Sequence, residues 1–328
     1  MSQGNTLKNR WKINTPNKLF YLTILTLTLL LITSCSGNKD TPQDALSAIK
    51  QAQSGTQGIE TTVVPNYLPP IIFDGQQLSL MLNVKNMGST NVEPQDCFVH
   101  ITGFDHNIIP GGLDVPRSCG DNYGTLEGKN IYNLAGTFNQ LVMESSTLGL
   151  PLGVNEYSPN LVINTCYRYT TTAAANVCID PENYNFETTQ KACKPGPVSL
   201  GGGQGGPVGV SYVGVTMAGT HATFDINIQS FGAGTVLSNA ADIQNCGFNN
   251  WDFNDLNRIT YAVRFGSGQP LDCKPRDGLV RLAGNNGKII CTTEVPSGSA
   301  YETPLVIDLG YAYKTSTTQN VRIVRTPE

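Results

Sequence analysis

The residues of this chain that could do chemistry are nine cysteines and a few short polar clusters. A thiol can pair with another thiol, bind zinc or act as a nucleophile. With Cys35 set aside, Cys97, Cys119, Cys166, Cys178, Cys193, Cys246, Cys273 and Cys291 remain. An even set of this kind predicts a disulfide framework built in an oxidising compartment. Zinc is not expected, because no C-x-x-C pair exists and His100, His106 and His221 stand far from any paired cysteine spacing. Cys97–Cys119 and Cys273–Cys291 are the nearest pairs within each half. The other four cysteines fit two patterns. The favoured one bonds Cys166 to Cys178 across a hairpin turning about Thr172, and Cys193 to Cys246 between the halves. The alternative bonds Cys178 to Cys193 and Cys166 to Cys246.

Asp252, Asn254 and Asp255, in NNWDFNDLNR, are the densest group of oxygen donors and the one calcium candidate. The spacing, glycine and terminal glutamate of an EF-hand loop are missing, so a capped turn or solvated loop is the preferred reading. Asp105, His106 and Asn107 could suggest acid–base work, but that needs a placed nucleophile or metal as well. Gly201, Gly203 and Gly206 match G-x-G-x-x-G. A dinucleotide loop must open a helix, whereas Pro207 and the alternating VGVSYVGV predict a strand. The string therefore reads as a turn between domains. Tyr67, Trp251 and Tyr301 could form an exposed aromatic patch, with packing in the core or at a strand edge the preferred role. No catalytic residue and no cofactor is expected. No G-x-S-x-G or H-E-x-x-H string occurs.

These residues need a scaffold, and composition indicates its class. Charged residues make up 14% of the 328, against about 25% in an average soluble protein. The net charge is −4, so no basic face is available for a phosphate backbone and nucleic acid is not an expected partner. With 34 glycines and 19 prolines the chain is rich in turns, and 39% hydrophobic residues are enough for real cores.

Lys8, Arg10, Lys12 and Lys18 precede the uncharged run LFYLTILTLTLLLIT, which ends at Thr33. A membrane-spanning helix needs about 20 apolar residues, so this shorter run reads as the core of a signal peptide. Ile32-Thr33-Ser34-Cys35 resembles a bacterial lipobox. That resemblance implies cleavage of residues 1–34 and a lipid on Cys35, whose acyl chains would hold the protein on a membrane. Ser36 rather than Asp would favour the outer membrane of a Gram-negative cell. Residues 35–58 read as a tether with a short helix at 42–53.

Sliding the sequence on itself gives one offset twice. At 144 residues, Leu80, Leu82, Val84, Met87, Gly88 and Val92 meet Phe224, Ile226, Ile228, Phe231, Gly232 and Val236. At the same offset NLVINTCYRYTTTAAANVCI (160–179) meets PLVIDLGYAYKTSTTQNVRI (304–323), aligning Tyr167 and Tyr169 with Tyr311 and Tyr313. A period of this size predicts two copies of one domain. Residues 78–84 alternate apolar with polar, as a half-buried strand does. Gly88 and Gly232 read as strand-ending turns, and both later blocks read as hairpins. The expected fold is all-β: two tandem immunoglobulin-like β-sandwiches, at 59–195 and 196–328, behind the signal peptide and tether.

The motifs VKNMGSTNV and IQSFGAGTV resemble the second-strand region of cell-adhesion-related (CARDB-like) immunoglobulin-type modules. Longer runs, including HITGFDHNIIPG and CYRYTTTAAANVCIDP, are similar to archaeal-type prokaryotic surface proteins. The resemblance implies a fold and an extracytoplasmic location and brings no activity with it. The expectation is a non-enzymatic, lipid-anchored surface protein for adhesion or for binding a protein or glycan partner. A self-associating subunit of a surface layer, filament or secretion assembly is one alternative, and a secreted hydrolase is the other.

Overall fold

The structure, a computed structural model, describes residues 45–328 apart from 185–190, 202, 246, 249–250 and 328. The signal peptide, Cys35 and the start of the tether lie outside the described residues. Helix α1 (Ala45–Ala52) falls inside the stretch expected to be helical. From there nearly all regular structure is β. The first half supplies β1 (Ile59–Val63), β2 (Ile71–Phe73), β3 (Gln77–Asn86), β4 (Cys97–Thr102), β5 (Arg117–Ser118), β6 (Phe138–Thr147), β7 (Glu156–Tyr157) and β8 (Asn160–Ile179). The second supplies β9 (Val198–Ser199), β10 (Val208–Ala218), β11 (His221–Ser230), β12 (Thr235–Leu237), β13 (Arg258–Phe265), β14 (Asp272–Lys274), β15 (Leu279–Arg281), β16 (Asn286–Glu294), β17 (Tyr301–Asn320) and β18 (Arg322–Val324).

The alternating apolar residues do what a period of two requires. β3 and β11 have the same burial pattern, with Leu80, Leu82 and Val84 as fully enclosed as their equivalents Phe224, Ile226 and Ile228. Full burial of one such side chain stabilises by roughly 1.5–3 kcal/mol. The first half gives a sheet β1-β3-β6, and the second repeats it as β10-β11-β16 with β9 and β14 added at the two edges. The other sheet of each half, β5-β4-β8 and β15-β13-β17, is joined to its counterpart because β8 and β17 pair with each other. One sheet therefore runs through both halves, and residues 45–328 form a single compact unit.

That pairing corrects the expected hairpins. Neither TTTAAA nor KTSTTQ turns; β8 and β17 are each one unbroken strand of 20 residues, antiparallel along their whole length. The physical reason is legible afterwards. Threonine is β-branched and favours extended backbone, and neither stretch has the glycine, proline or Asn-Gly that a tight turn needs. Ala173 and Ala175 point inward and are fully buried.

The register also carries a symmetry. Arg168 faces Ala312, its own equivalent 144 residues on. Tyr167 accordingly faces Tyr313, and Tyr169 faces Tyr311. A pseudo-twofold axis thus passes through the middle of the ladder.

The disulfides follow from the same correction. On one straight strand Cys166 and Cys178 lie about 40 Å apart at the usual rise per residue, so they cannot bond each other. Cys178 bonds Cys193 instead, which also removes the expected Cys193–Cys246 staple. Cys97–Cys119 and Cys273–Cys291 pair as expected. Cys166 is disulfide-bonded too, to none of the cysteines just named, while Cys246 lies outside the described residues. Non-reducing peptide mapping of the secreted protein is expected to return Cys178 joined to Cys193. A Cys166–Cys178 peptide in its place would contradict the unbroken β8.

Candidate functional site

The four tyrosines on the axis form one aromatic cluster. Ring centroids are 5.7 Å apart for Tyr167 and Tyr169, 5.9 Å for Tyr167 and Tyr313, and 6.4 Å for Tyr169 and Tyr311. Each hydroxyl holds a backbone group of the sheet that packs over it. Thr90 N–H donates to the Tyr169 hydroxyl and Gly234 N–H, one repeat later, to that of Tyr313. Ile59 N–H donates to Tyr167, as Val208 N–H does to Tyr311. Burial pushes all four phenols above the ordinary tyrosine value, and for Tyr167 the neighbouring tyrosines add to the effect. They stay neutral, and act as hydrogen-bonding groups rather than nucleophiles.

Gly88 and Gly232 lie in bends just past β3 and β11, as expected, and a close contact explains why each is a glycine. A Cβ on Gly88 would overlap the Tyr169 hydroxyl, and one on Gly232 the Tyr313 hydroxyl. The two repeat blocks found in the sequence are thus the two sides of one contact.

Beside the cluster lies a cleft of about 420 Å³. Its floor is the ladder of β8 and β17 where Thr165 faces Thr315. Tyr167, Tyr313 and Phe231 supply aromatic wall, and the start of β1 forms one rim. Among the described residues no lysine or arginine lines it, and Glu60 is the one acid. The symmetry-equivalent surface is closed. Thr171 and Ala173 are buried, whereas Thr317, the equivalent of Ala173, is exposed. β10 runs for 11 residues where β1 stops after five. A hydroxyl-lined groove with a single acid on its rim, beside a sheet edge, can bind by hydrogen bonding and stacking.

The residues singled out in the sequence lie elsewhere. Asp252 Oδ1 accepts the N–H groups of Asn254 (2.6 Å) and Asp255 (3.1 Å), and Asn254 Oδ1 accepts from Arg258, so these oxygens serve their own turn. Among the described residues no group of three or more His, Cys, Asp or Glu is placed to hold a metal. Asp105 Oδ1 caps Asn107, and His106 stands exposed 3.5 Å from Asp114. Ser47 and Lys50 on α1 have the S-x-x-K spacing, but both are exposed to water. Tyr67, Trp251 and Tyr301 do not line the cleft. The glycine string leads into strand β10, as expected. The cleft itself was missed; its one signal was that the Gly and Tyr-x-Tyr blocks repeat at a common offset.

No family model matches the chain, and no curated protein matches it. Among solved structures, a secreted serine protease of Vibrio cholerae, VesC, is similar over 80% of this chain and 51% of its own, at 9% identity and a TM-score of 0.17. The chain thus spans about half the length of that neighbour. A likeness at that level assigns neither fold nor activity. The expected role, in adhesion or in binding a protein or glycan partner, is corrected on these findings, together with its surface-assembly and hydrolase alternatives: nothing among the comparisons supports any of them, so a role has to be argued from the geometry of the site alone. The disulfides do place the protein outside the cytoplasm.

Proposed function

We propose that the protein is an extracytoplasmic acceptor for an extended polypeptide segment, which adds as a strand to the outer edge of β1. The observation that carries this reading is the state of that edge. Val64 N–H donates to Met81 C=O and Met87 N–H to Gly58 C=O, so the even-numbered residues of β1 bond inward to β3. The odd-numbered ones face out. Tyr167 takes the N–H of Ile59, while the main-chain groups of Thr61 and Val63 have no partner among the described residues. An unpaired edge beside a hydroxyl-lined groove is a template for one more strand. In this reading each half is an immunoglobulin-type module, as the resemblance to CARDB-like modules implies, and β17 takes the place beside β8 of a closing strand. The lipid on Cys35 keeps the cleft near a membrane surface, and the segment bound belongs to another extracytoplasmic protein.

Amide hydrogen exchange on the full chain in detergent, with and without a panel of eight-residue extended peptides, tests this. Binding is expected to slow exchange at Thr61 and Val63. Thr61→Pro removes one donor from an edge position that tolerates proline, and is expected to weaken binding about tenfold with the fold retained. Peptides that bind without protecting either amide would refute the reading. The membrane attachment is checked by the mass of the N-terminal peptide, which should carry acyl chains on Cys35.

A further inference from the structure

The second half contains a filled version of the open edge. Thr61 faces Val84 in one ladder and Val210 faces Ile228 in the other, and Val84 and Ile228 are one repeat apart. Val210 is therefore the equivalent of Thr61, just as Val208 and Ile59 are equivalent in donating to Tyr311 and Tyr167. At Val210 the outward groups are taken. Its N–H donates to Gln204 Oε1 at 2.9 Å, and Gln204 Nε2 donates back to its C=O at 3.0 Å. The same Nε2 donates to Leu200 C=O at 2.9 Å. One side-chain carboxamide thus closes both main-chain groups of an edge residue, as a neighbouring strand would.

Small residues make this possible. Gly203 and Gly205 on either side of Gln204 adopt left-handed φ of 79° and 73°. A Cβ on Gly209 would overlap Gln204 Oε1. In the first half a loop also joins α1 to β1, but counting back from Val210 and Thr61 puts Gly55 at the place of Gln204, and among the described residues this loop delivers no amide to Thr61.

We propose that the main chain of Thr61 is a carboxamide clamp, and that the segment bound in the cleft presents a glutamine side chain to it from a glycine-rich stretch. This deepens the polypeptide-acceptor reading and rests on it: at Thr61 the carboxamide takes the place of main-chain pairing, as Gln204 does at Val210, and the added strand pairs at Val63. The N–H and C=O of Thr61 supply one donor and one acceptor, and a primary amide answers both at once. A carboxylate answers only the N–H and meets the carbonyl with like polarity. Glu60 on the rim disfavours a carboxylate further.

The test titrates the full chain in detergent with the acetylated, amidated peptide Gly-Gly-Gly-Gln-Gly-Gly and with its forms carrying Glu or Ala at the fourth position. Calorimetry gives affinity and stoichiometry, and amide chemical shifts report Thr61. The glutamine peptide is expected to bind one to one, move the Thr61 amide, and bind at least tenfold more tightly than the other two. Equal binding of the glutamine and alanine peptides would mean that the edge reads main chain alone; the clamp then falls and the acceptor reading stands. If neither these peptides nor the longer panel bind, both fall. Gln204→Ala is expected to free the main chain of Val210, read as at least tenfold faster exchange of the Val210 amide. Gln204→Ser, which also lacks the carboxamide, serves as a second route to the same readout should the alanine variant not fold. Unchanged exchange at Val210 in a folded variant would overturn the equivalence of the two edges.

Discussion

Brought to pH 12, the protein is expected to unfold in one cooperative step. The cause is the tyrosine cluster on the axis. Tyr167, Tyr169 and Tyr311 are buried, and burial raises their phenols above the ordinary value near 10. The sign follows from proton binding. Above that value the unfolded chain releases phenolic protons that the folded chain retains, so stability is intact below it and is lost as pH rises. Two pH units above the ordinary value, each retained proton costs the folded state about 2.7 kcal/mol. Three such groups together remove about 8 kcal/mol, which is within the usual total stability of a folded protein. Tyrosinate absorbance and far-ultraviolet circular dichroism, followed together against pH, check this. The buried phenols should ionise only as the strand signal collapses. Complete ionisation of every tyrosine with the β signal intact would show that the cluster is not sealed.

The second large effect is expected at the glycines under those hydroxyls. Gly232→Ala should cost about 2–3 kcal/mol, because the new methyl and the Tyr313 hydroxyl cannot share one space. Tyr313→Phe alone should cost about 1 kcal/mol, through loss of the bond from Gly234 N–H. The double variant should be more stable than the sum predicts, because once the hydroxyl is gone the nearest remaining ring atom is 3.1 Å from the methyl. Gly88→Ala should be worse and should resist rescue by Tyr169→Phe. There the methyl would also overlap the carbonyl oxygens of Gln57 and Gly205, which no side-chain change can move. Chemical denaturation of the four chains at each site gives the coupling energies. Additive costs at the Gly232 site would rule out the contact.

Both effects were half visible in the sequence. Alternation between apolar and polar residues over 78–84 marked the middle of β3, and the repeat carried it to β11, because a half-buried strand leaves a period of two. The offset of 144 tied Gly88 to Gly232 and Tyr169 to Tyr313. Nothing local said that the glycines lie under the tyrosines, since they are 81 residues apart along the chain and meet only through folding. The long strands were misread for a related reason. A threonine run without apolar alternation looks like a loop until a partner strand supplies its hydrogen bonds, and for Thr171 that partner, Leu309, is 138 residues away. The cleft was illegible because it depends on what is absent beside β1, and sequence records presence. Gln204 stood inside a glycine string weighed as a phosphate loop and read as a turn between domains, and its role emerges once register places it against Val210.

The ladder between β8 and β17 has the geometry of a two-chain complex whose subunits have been covalently joined. A homodimer is bound to carry every feature twice, because one gene writes both copies. Fusion releases that constraint while the shared seam still holds the pair together. One copy can then close its own edge, as Gln204 does at Val210, while the other leaves its edge unpaired.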